Sequence, residues 1–194
     1  MRYAGIDVGG RRKGFHAAVI DDAGILAGPL ALRSTAEVVE WVAGEGPCLV
    51  AVDSPRSPAP TGSHSRGCER ELSRAVCGIR YTPERKLIVD NPYYEWIIHG
   101  FELYSSLEAA GLDVVECFPT ASFTRWAGPR LPRTRAEWSR VALTRLGFDE
   151  VRHGQDGRDA VGAALTAREH VHGTTDRFGE IVVPTTGPRS RAPT

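Results

Sequence analysis

Tyr3-Ala4-Gly5-Ile6-Asp7-Val8-Gly9-Gly10 is the stretch on which the reading of this chain turns. From Tyr3 to Val8 the residues are apolar or small, which suits a strand buried on both faces, and the glycine pair ends it. One acid, Asp7, stands inside that run. A buried carboxylate without a partner is costly, so an acid there demands a cation or dedicated donors. Residues 14–20 read as a second strand, Asp21-Asp22-Ala23-Gly24 as a turn, and Ile25–Leu32 as a third strand. Connections this short predict an antiparallel meander.

Ser34 opens a helix, with Glu37 three residues on in capping-box spacing and Val38, Val39 and Val42 as its apolar face. Residues 48–52 form a continuous apolar run that stops at Asp53-Ser54-Pro55, a second doubly buried strand. Residues 54–65, rich in Pro, Ser and Gly, form a loop, and 78–83 are irregular. Helices are expected over 66–76, 93–110, 120–126, 135–146 and 156–172, with Gly111 and Gly173 as C-terminal stops. Residues 112–117 give a fifth strand, and 180–183 a last short one before Pro184. The order predicts an α/β fold: a mixed five-stranded sheet, made of a three-strand antiparallel meander plus two parallel strands, flanked by helices. Residues 1–184 are expected to form one domain, and the polar, Pro-rich 185–194 a disordered tail.

With 41% apolar and 25% charged residues in 194, the composition is that of a globular chain able to bury a core without staples. The chain opens directly in a strand pattern, with no basic-then-apolar leader, and no apolar run approaches the roughly 20 residues of a membrane helix. A cytoplasmic protein with no membrane partner is expected. Cys48, Cys68, Cys77 and Cys117 lack zinc-knuckle spacing, so reduced thiols are expected. A formal net charge of zero argues against a strong non-specific field for nucleic acid. The cations are nearly all Arg, with only Lys13 and Lys86 as Lys. Arg codon bias accounts for that better than phosphate binding does.

Five acids fall where strands end or a helix begins: Asp7, Asp53, Glu116, and the pair Asp156 and Asp159. The carboxyl ends of neighbouring strands in an α/β sheet share a crevice, and acids three apart share a helix face. Gathered there, carboxylates raise one another's pKa unless a cation neutralises them. Mg2+ or Mn2+ suits such oxygen donors, and a two-metal carboxylate site is built for phosphodiester hydrolysis. Asp7 inside an apolar strand is hard to explain structurally, but each of the other four has a structural role open to it: a turn for Asp53, an Arg pair for Glu116, a helix cap for Asp156 and Asp159.

Gly5-Ile6-Asp7-Val8-Gly9-Gly10 with Lys13-Gly14, Val52-Asp53-Ser54-Pro55, Arg66-x-Cys68-Glu69-Arg70-Glu71-Leu72, Glu116-Cys117-Phe118-Pro119 and Asp156-Gly157-x-Asp159-Ala160 together resemble the predicted RNase H-like nucleases labelled domain of unknown function 429. The resemblance implies an RNase H-like fold shared with RuvC-type resolvases. It also implies metal-binding acids on the first strand, the fourth strand and a final helix, which are here Asp7, Asp53 and Asp156 with Asp159. The RuvC type more often carries Glu on the fourth strand, and Asp53 is one methylene shorter. Asp7, Asp53 and Asp159 are the expected catalytic set, with Glu116 and Asp156 as further metal ligands.

Lys13, beside the glycine turn, and Arg66 and Arg80, flanking the loop after Asp53, are the expected phosphate contacts. Arg70 fits equally a solvated helix face beside Glu69 and Glu71. His64, His99, His153, His170 and His172 are scattered; His153, which precedes the helix opening at Asp156, is a candidate base, with a surface histidine as the favoured alternative. The aromatic helix with Tyr93, Tyr94, Trp96, Phe101 and Tyr104 reads as core, with base stacking as the alternative. Three functions compete: a metal-dependent nuclease acting on DNA or RNA, a non-catalytic nucleic-acid or protein-binding module, and an ATP-dependent phosphotransferase. The last shares the strand-Asp-x-Gly-Gly motif but normally needs two such domains.

Overall fold

The computed structural model describes residues 1–148 and 154–185. In chain order the elements are β1 (Tyr3–Val8), β2 (Phe15–Ile20), β3 (Ile25–Leu32), α1 (Thr35–Glu45), β4 (Leu49–Asp53), α2 (Gly67–Ala75) and α3 (Arg85–Asp90). A 3-10 turn (Pro92–Tyr94) leads into α4 (Glu95–Ala109), followed by β5 (Val114–Cys117), α5 (Pro119–Ala127), α6 (Arg135–Arg145), α7 (Gln155–Val171), β6 (Thr175–Phe178) and β7 (Ile181–Pro184). All of the expected tail 185–194 except Thr185, and the candidate base His153, lie outside the described residues.

The sheet is mixed and has seven strands, in the order β3-β2-β1-β4-β5-β7-β6, where the sequence predicted five. β1, β2 and β3 form the antiparallel meander, and β4 and β5 join β1 in parallel. The two additional strands are a terminal hairpin: β7 runs parallel to β5, and β6 pairs antiparallel with β7 at the edge. β7 corresponds to the short apolar run noted before Pro184. β6, Thr175-Asp176-Arg177-Phe178, has no apolar alternation because it is an edge strand beside α2.

Strand parity divides the molecule into two layers. Tyr3, Gly5 and Asp7 of β1 share a face with His16, Ala18 and Ile20 of β2 and with Leu49, Ala51 and Asp53 of β4, through the in-register pairs that align them. The apolar members of this set pack with α5, α6 and α7, around Phe123, Trp126 and Trp138. The alternate residues, Ala4, Ile6, Val8, Val50 and Val52, pack on the other side against α1 and α4 through Val38, Val42, Leu103 and Leu107.

α7 is the central helix of the first layer, buried from Gly157 to Ala167 and rich in small residues. Its seat is β1 at Gly5, where an added Cβ would lie 2.0 Å from the Ala164 nitrogen and 2.1 Å from the Ala160 oxygen. Only a residue without a side chain lets the helix backbone come this close to the strand. The contact lays the first turns of α7 over the carboxyl ends of β1 and β4. On the other layer, Ser34 Oγ accepts from Glu37 N at the start of α1, and Gly46 closes that helix in the left-handed conformation.

Candidate metal centre

Asp7 and Asp53 are in-register partners on adjacent parallel strands and project from the same face. Strands are about 4.8 Å apart, so the two carboxyls are unavoidable neighbours. Asp156 and Asp159 descend from the first turns of α7 onto the same crevice. Asp159 is buried and held on both oxygens: Arg135 Nη2 donates to Oδ2 at 2.8 Å and Gln155 Nε2 to Oδ1 at 2.8 Å. Arg135 is placed by the start of α6, where Thr134 and Glu137 form a reciprocal capping box. Asp156 receives Lys13 Nζ at 3.1 Å on both oxygens.

The electrostatics record the crowding. Burial, then repulsion by Asp159 and Asp156, push the Asp7 carboxyl up to about 8, against the weaker pull of Lys13 and Arg135. Burial, with repulsion by Asp7 and Asp159, raises Asp53 well above the usual carboxylate range. Burial also raises Asp159, opposed by Arg135 and Gln155. Lys13 and Arg135 thus leave the cluster under-neutralised, and hard oxygen donors short of positive charge fit a divalent cation.

His16 was not among the residues the sequence singled out. It lies opposite Asp7 on β2, and the two offer, with Asp156, ligand atoms that all lie within 4.8 Å of one another. The signal for it was the meander itself: a symmetric hairpin about the Gly9–Gly14 turn puts His16 across from Asp7. Arg135 and Gln155 were also missed, because only the packing of α6 on α7 brings them to Asp159.

Glu116 and Arg66 stand beside this cluster: both line a small cavity with Asp53, and the Glu116 charge adds to the repulsion that raises Asp53. Glu116 is in register with Val52, not Asp53, so its side chain emerges on the opposite face of the sheet. There Arg66 grips it with both terminal nitrogens, Nη1 to Oε2 at 2.8 Å and Nη2 to Oε1 at 2.5 Å, and the Arg56 N–H adds a third donor at 2.9 Å. Arg66 Nε also donates to Glu69, which accepts from the Thr82 N–H and hydroxyl as well. Burial works against the Arg66 charge, but Glu116 and Glu69 more than restore it. In this structure Glu116, expected as a metal ligand, and Arg66, expected as a phosphate contact, are joined in a buried ion-pair network that fastens α2 to β5.

Arg80 is exposed, with its guanidinium 5.1 Å from the centre of the Tyr93 ring, and it rims a cavity of about 70 Å³ that Asp53 and Trp96 also line. Arg70 bonds Ser65 through its oxygens rather than Glu69 or Glu71. Tyr104 of the aromatic helix is core and donates to the Val52 and Ser54 carbonyls, whereas Tyr93 is exposed. His99 Nδ1 meets the Gly9 carbonyl at 3.2 Å, which ties the turn after β1 to α4. All four cysteines are free thiols. No helix among the described residues is long and apolar enough to cross a membrane.

In structure the chain is similar to Thermus thermophilus RuvC, with 19% identity and a TM-score of 0.53 over 90% of this chain and 98% of that one. It is similar also to T. thermophilus RuvC in complex with a Holliday junction substrate, with 18% identity and a TM-score of 0.53 over 90% of this chain and 97% of that one. The fold is thus that of the RuvC-like, RNase H-like class. A family profile described as "Protein of unknown function (DUF429)" matches residues 5–182, and the chain belongs to that family. Among curated proteins none matches it in sequence.

Proposed function

We propose that this protein is a divalent-metal-dependent nuclease that hydrolyses phosphodiester bonds in DNA or RNA. The observation that carries the reading is the convergence of Asp7, Asp53 and Asp159 on one crevice, where Asp159 raises the proton affinity of both Asp7 and Asp53 and Asp7 raises that of Asp53. An acid cluster left short of positive charge is unfavourable for folding alone and is suited to holding Mg2+ or Mn2+. Metal bound there would supply Lewis-acid polarisation of the phosphate and a water of lowered pKa.

The chain's own residues divide the remaining work. Asp7, central to the cluster, and Asp53 would hold metal in common. Asp159, oriented by Arg135 and Gln155, would fix the geometry opposite them. Arg135, whose side chain is 43% exposed, reaches the crevice from the solvent side and would also meet a phosphate oxygen. Lys13, bonded to Asp156, and Arg80, which lines a cavity with Asp53, would guide the backbone of the substrate. A structural relative carries a Holliday junction substrate, which supports nucleic acid as the ligand class. The neutral net charge favours recognition of a particular structure over indiscriminate binding.

The test is cleavage of a panel of labelled single-stranded, duplex and branched DNA and RNA with Mg2+, Mn2+ or EDTA. The reading predicts cleavage that EDTA abolishes and that Asp7→Asn and Asp53→Asn reduce by about 10³-fold or more, an electrostatic loss of the size seen when one catalytic donor is removed. Binding of a nucleic acid without cleavage, unchanged by EDTA and by Asp7→Asn, would instead establish the non-catalytic module.

A further inference from the structure

The geometry points to His16 as a metal ligand: Asp7, His16 and Asp156 form a mixed nitrogen and oxygen site whose preference is for Mn2+ or another first-row transition ion over Mg2+. The inference rests on the carboxylate cluster being a metal centre and goes beyond it by adding a donor of a different kind. Three features support it. The pairing register sets His16 directly across from Asp7, on the same face of the sheet. Side chains so paired have Cβ atoms only about 5 Å apart. One donor atom from each of Asp7, His16 and Asp156 lies within 4.8 Å of the other two, so a single ion reaches all three.

His16 and Asp156 also line an open groove of about 260 Å³, bounded by Pro29, Ala31, Gly154 and Gly157, through which an ion and its waters can enter. Among the described residues the His16 ring has no hydrogen-bond partner that would explain its place as structural. The charged group already at the site is Lys13, bonded to Asp156; its side chain is 65% exposed, so it can turn away into solvent when an ion takes its place. Neutral imidazole is a borderline donor that suits Mn2+, Co2+ and Zn2+, whereas Mg2+ strongly favours oxygen and keeps its waters. A histidine in the shell therefore separates the two ions that the carboxylates alone would treat alike.

The experiment is Mn2+ and Mg2+ titration calorimetry on the full chain, wild type and His16→Gln, with electron spin-echo spectroscopy of the bound Mn2+ to detect a directly coordinated nitrogen. Circular dichroism and thermal melting verify that the variant folds, and His16→Ala serves as the second variant. The expected result is a 14N modulation in the wild type that both variants lack, with Mn2+ affinity falling about tenfold or more and Mg2+ affinity nearly unchanged. Mn2+ bound by the wild type without nitrogen modulation, at an affinity that His16→Gln leaves intact, would overturn the histidine ligand and leave the carboxylate centre standing. Absence of any Mn2+ or Mg2+ binding to the wild type would overturn both.

Discussion

Asp7 shows how a single residue can be bad for the fold and good for the site. Its carboxyl ordinarily titrates near 3.8, and burial beside Asp159 and Asp156 pushes it up to about 8. The folded chain therefore holds a proton between those values that the unfolded chain releases. Its stabilising contribution is complete below the ordinary carboxylate range and is lost as pH rises through about 8. Urea unfolding of the metal-free protein is expected to give a lower stability at pH 8 than at pH 5, and Asp7→Asn to flatten that slope. At pH 8 the variant is expected to be more stable than wild type by about 1–3 kcal/mol, the range of a single buried-site effect. Equal slopes in the two proteins would show that Asp7 is not under repulsion.

Arg66 makes the opposite case at the same scale. Its charge is buried but matched by Glu116 and Glu69, so removing it leaves carboxylates uncompensated inside the protein. Arg66→Met is expected to cost about 3–5 kcal/mol in unfolding measurements while leaving Mn2+ affinity within about twofold, since breaking a buried pair is expensive and this one lies on the other face of the sheet. Loss of metal binding in a folded Arg66→Met protein would return Glu116 and Arg66 to the centre.

At the scale of elements, the decisive contact is α7 on β1. Gly5 is the position where the helix backbone meets the strand, and the first turns of α7 reach Asp7 because of it. Gly5→Ala forces the two apart and is expected to destabilise by about 1–3 kcal/mol, as overpacking does, and to weaken metal binding beyond what stability loss explains. Thermal melting together with calorimetry on the folded fraction would separate those effects. A Gly5→Ala protein with native stability would show that the close approach is not needed.

The same scale shows what was legible in the sequence. That Asp7, Asp53 and the α7 acids would lie near one another could be read, because each stands at the end of a strongly apolar strand or opens a long helix. The face on which Glu116 emerges could not be read, because it depends on counting parity from Val52 across to β5, and the strand's first residue was not evident to within one. β6 escaped for lack of alternation, and α3 because Arg85–Asp90 is one short amphipathic stretch beside an irregular segment. His16 was recoverable in principle, from the pairing of the first hairpin. Arg135 and Gln155 were not, since nothing local links α6 to the head of α7.

For the whole molecule, the two layers do different jobs. The α1 and α4 side is a plain apolar core, with the Arg66 network at its margin. The α7 side is apolar until the strand ends, where it gives way to carboxylates, His16 and Arg135. The crevice is therefore a consequence of where α7 begins relative to the ends of β1 and β4. Its acids repel one another when no ion is bound, and this predicts that a divalent cation stabilises the entire fold and not only the site.

That coupling supplies the most direct measurement: the melting temperature at pH 8, with EDTA and with millimolar Mn2+, for wild type, Asp7→Asn and Asp53→Asn. The account predicts a rise of several degrees for the wild type on adding Mn2+, a shift on the order of 1–3 kcal/mol in a chain of this size, little or none for Asp7→Asn, and a smaller rise than wild type for Asp53→Asn. Identical melting with and without Mn2+ in the wild type, or an equal rise in all three proteins, would contradict a metal centre at the strand ends.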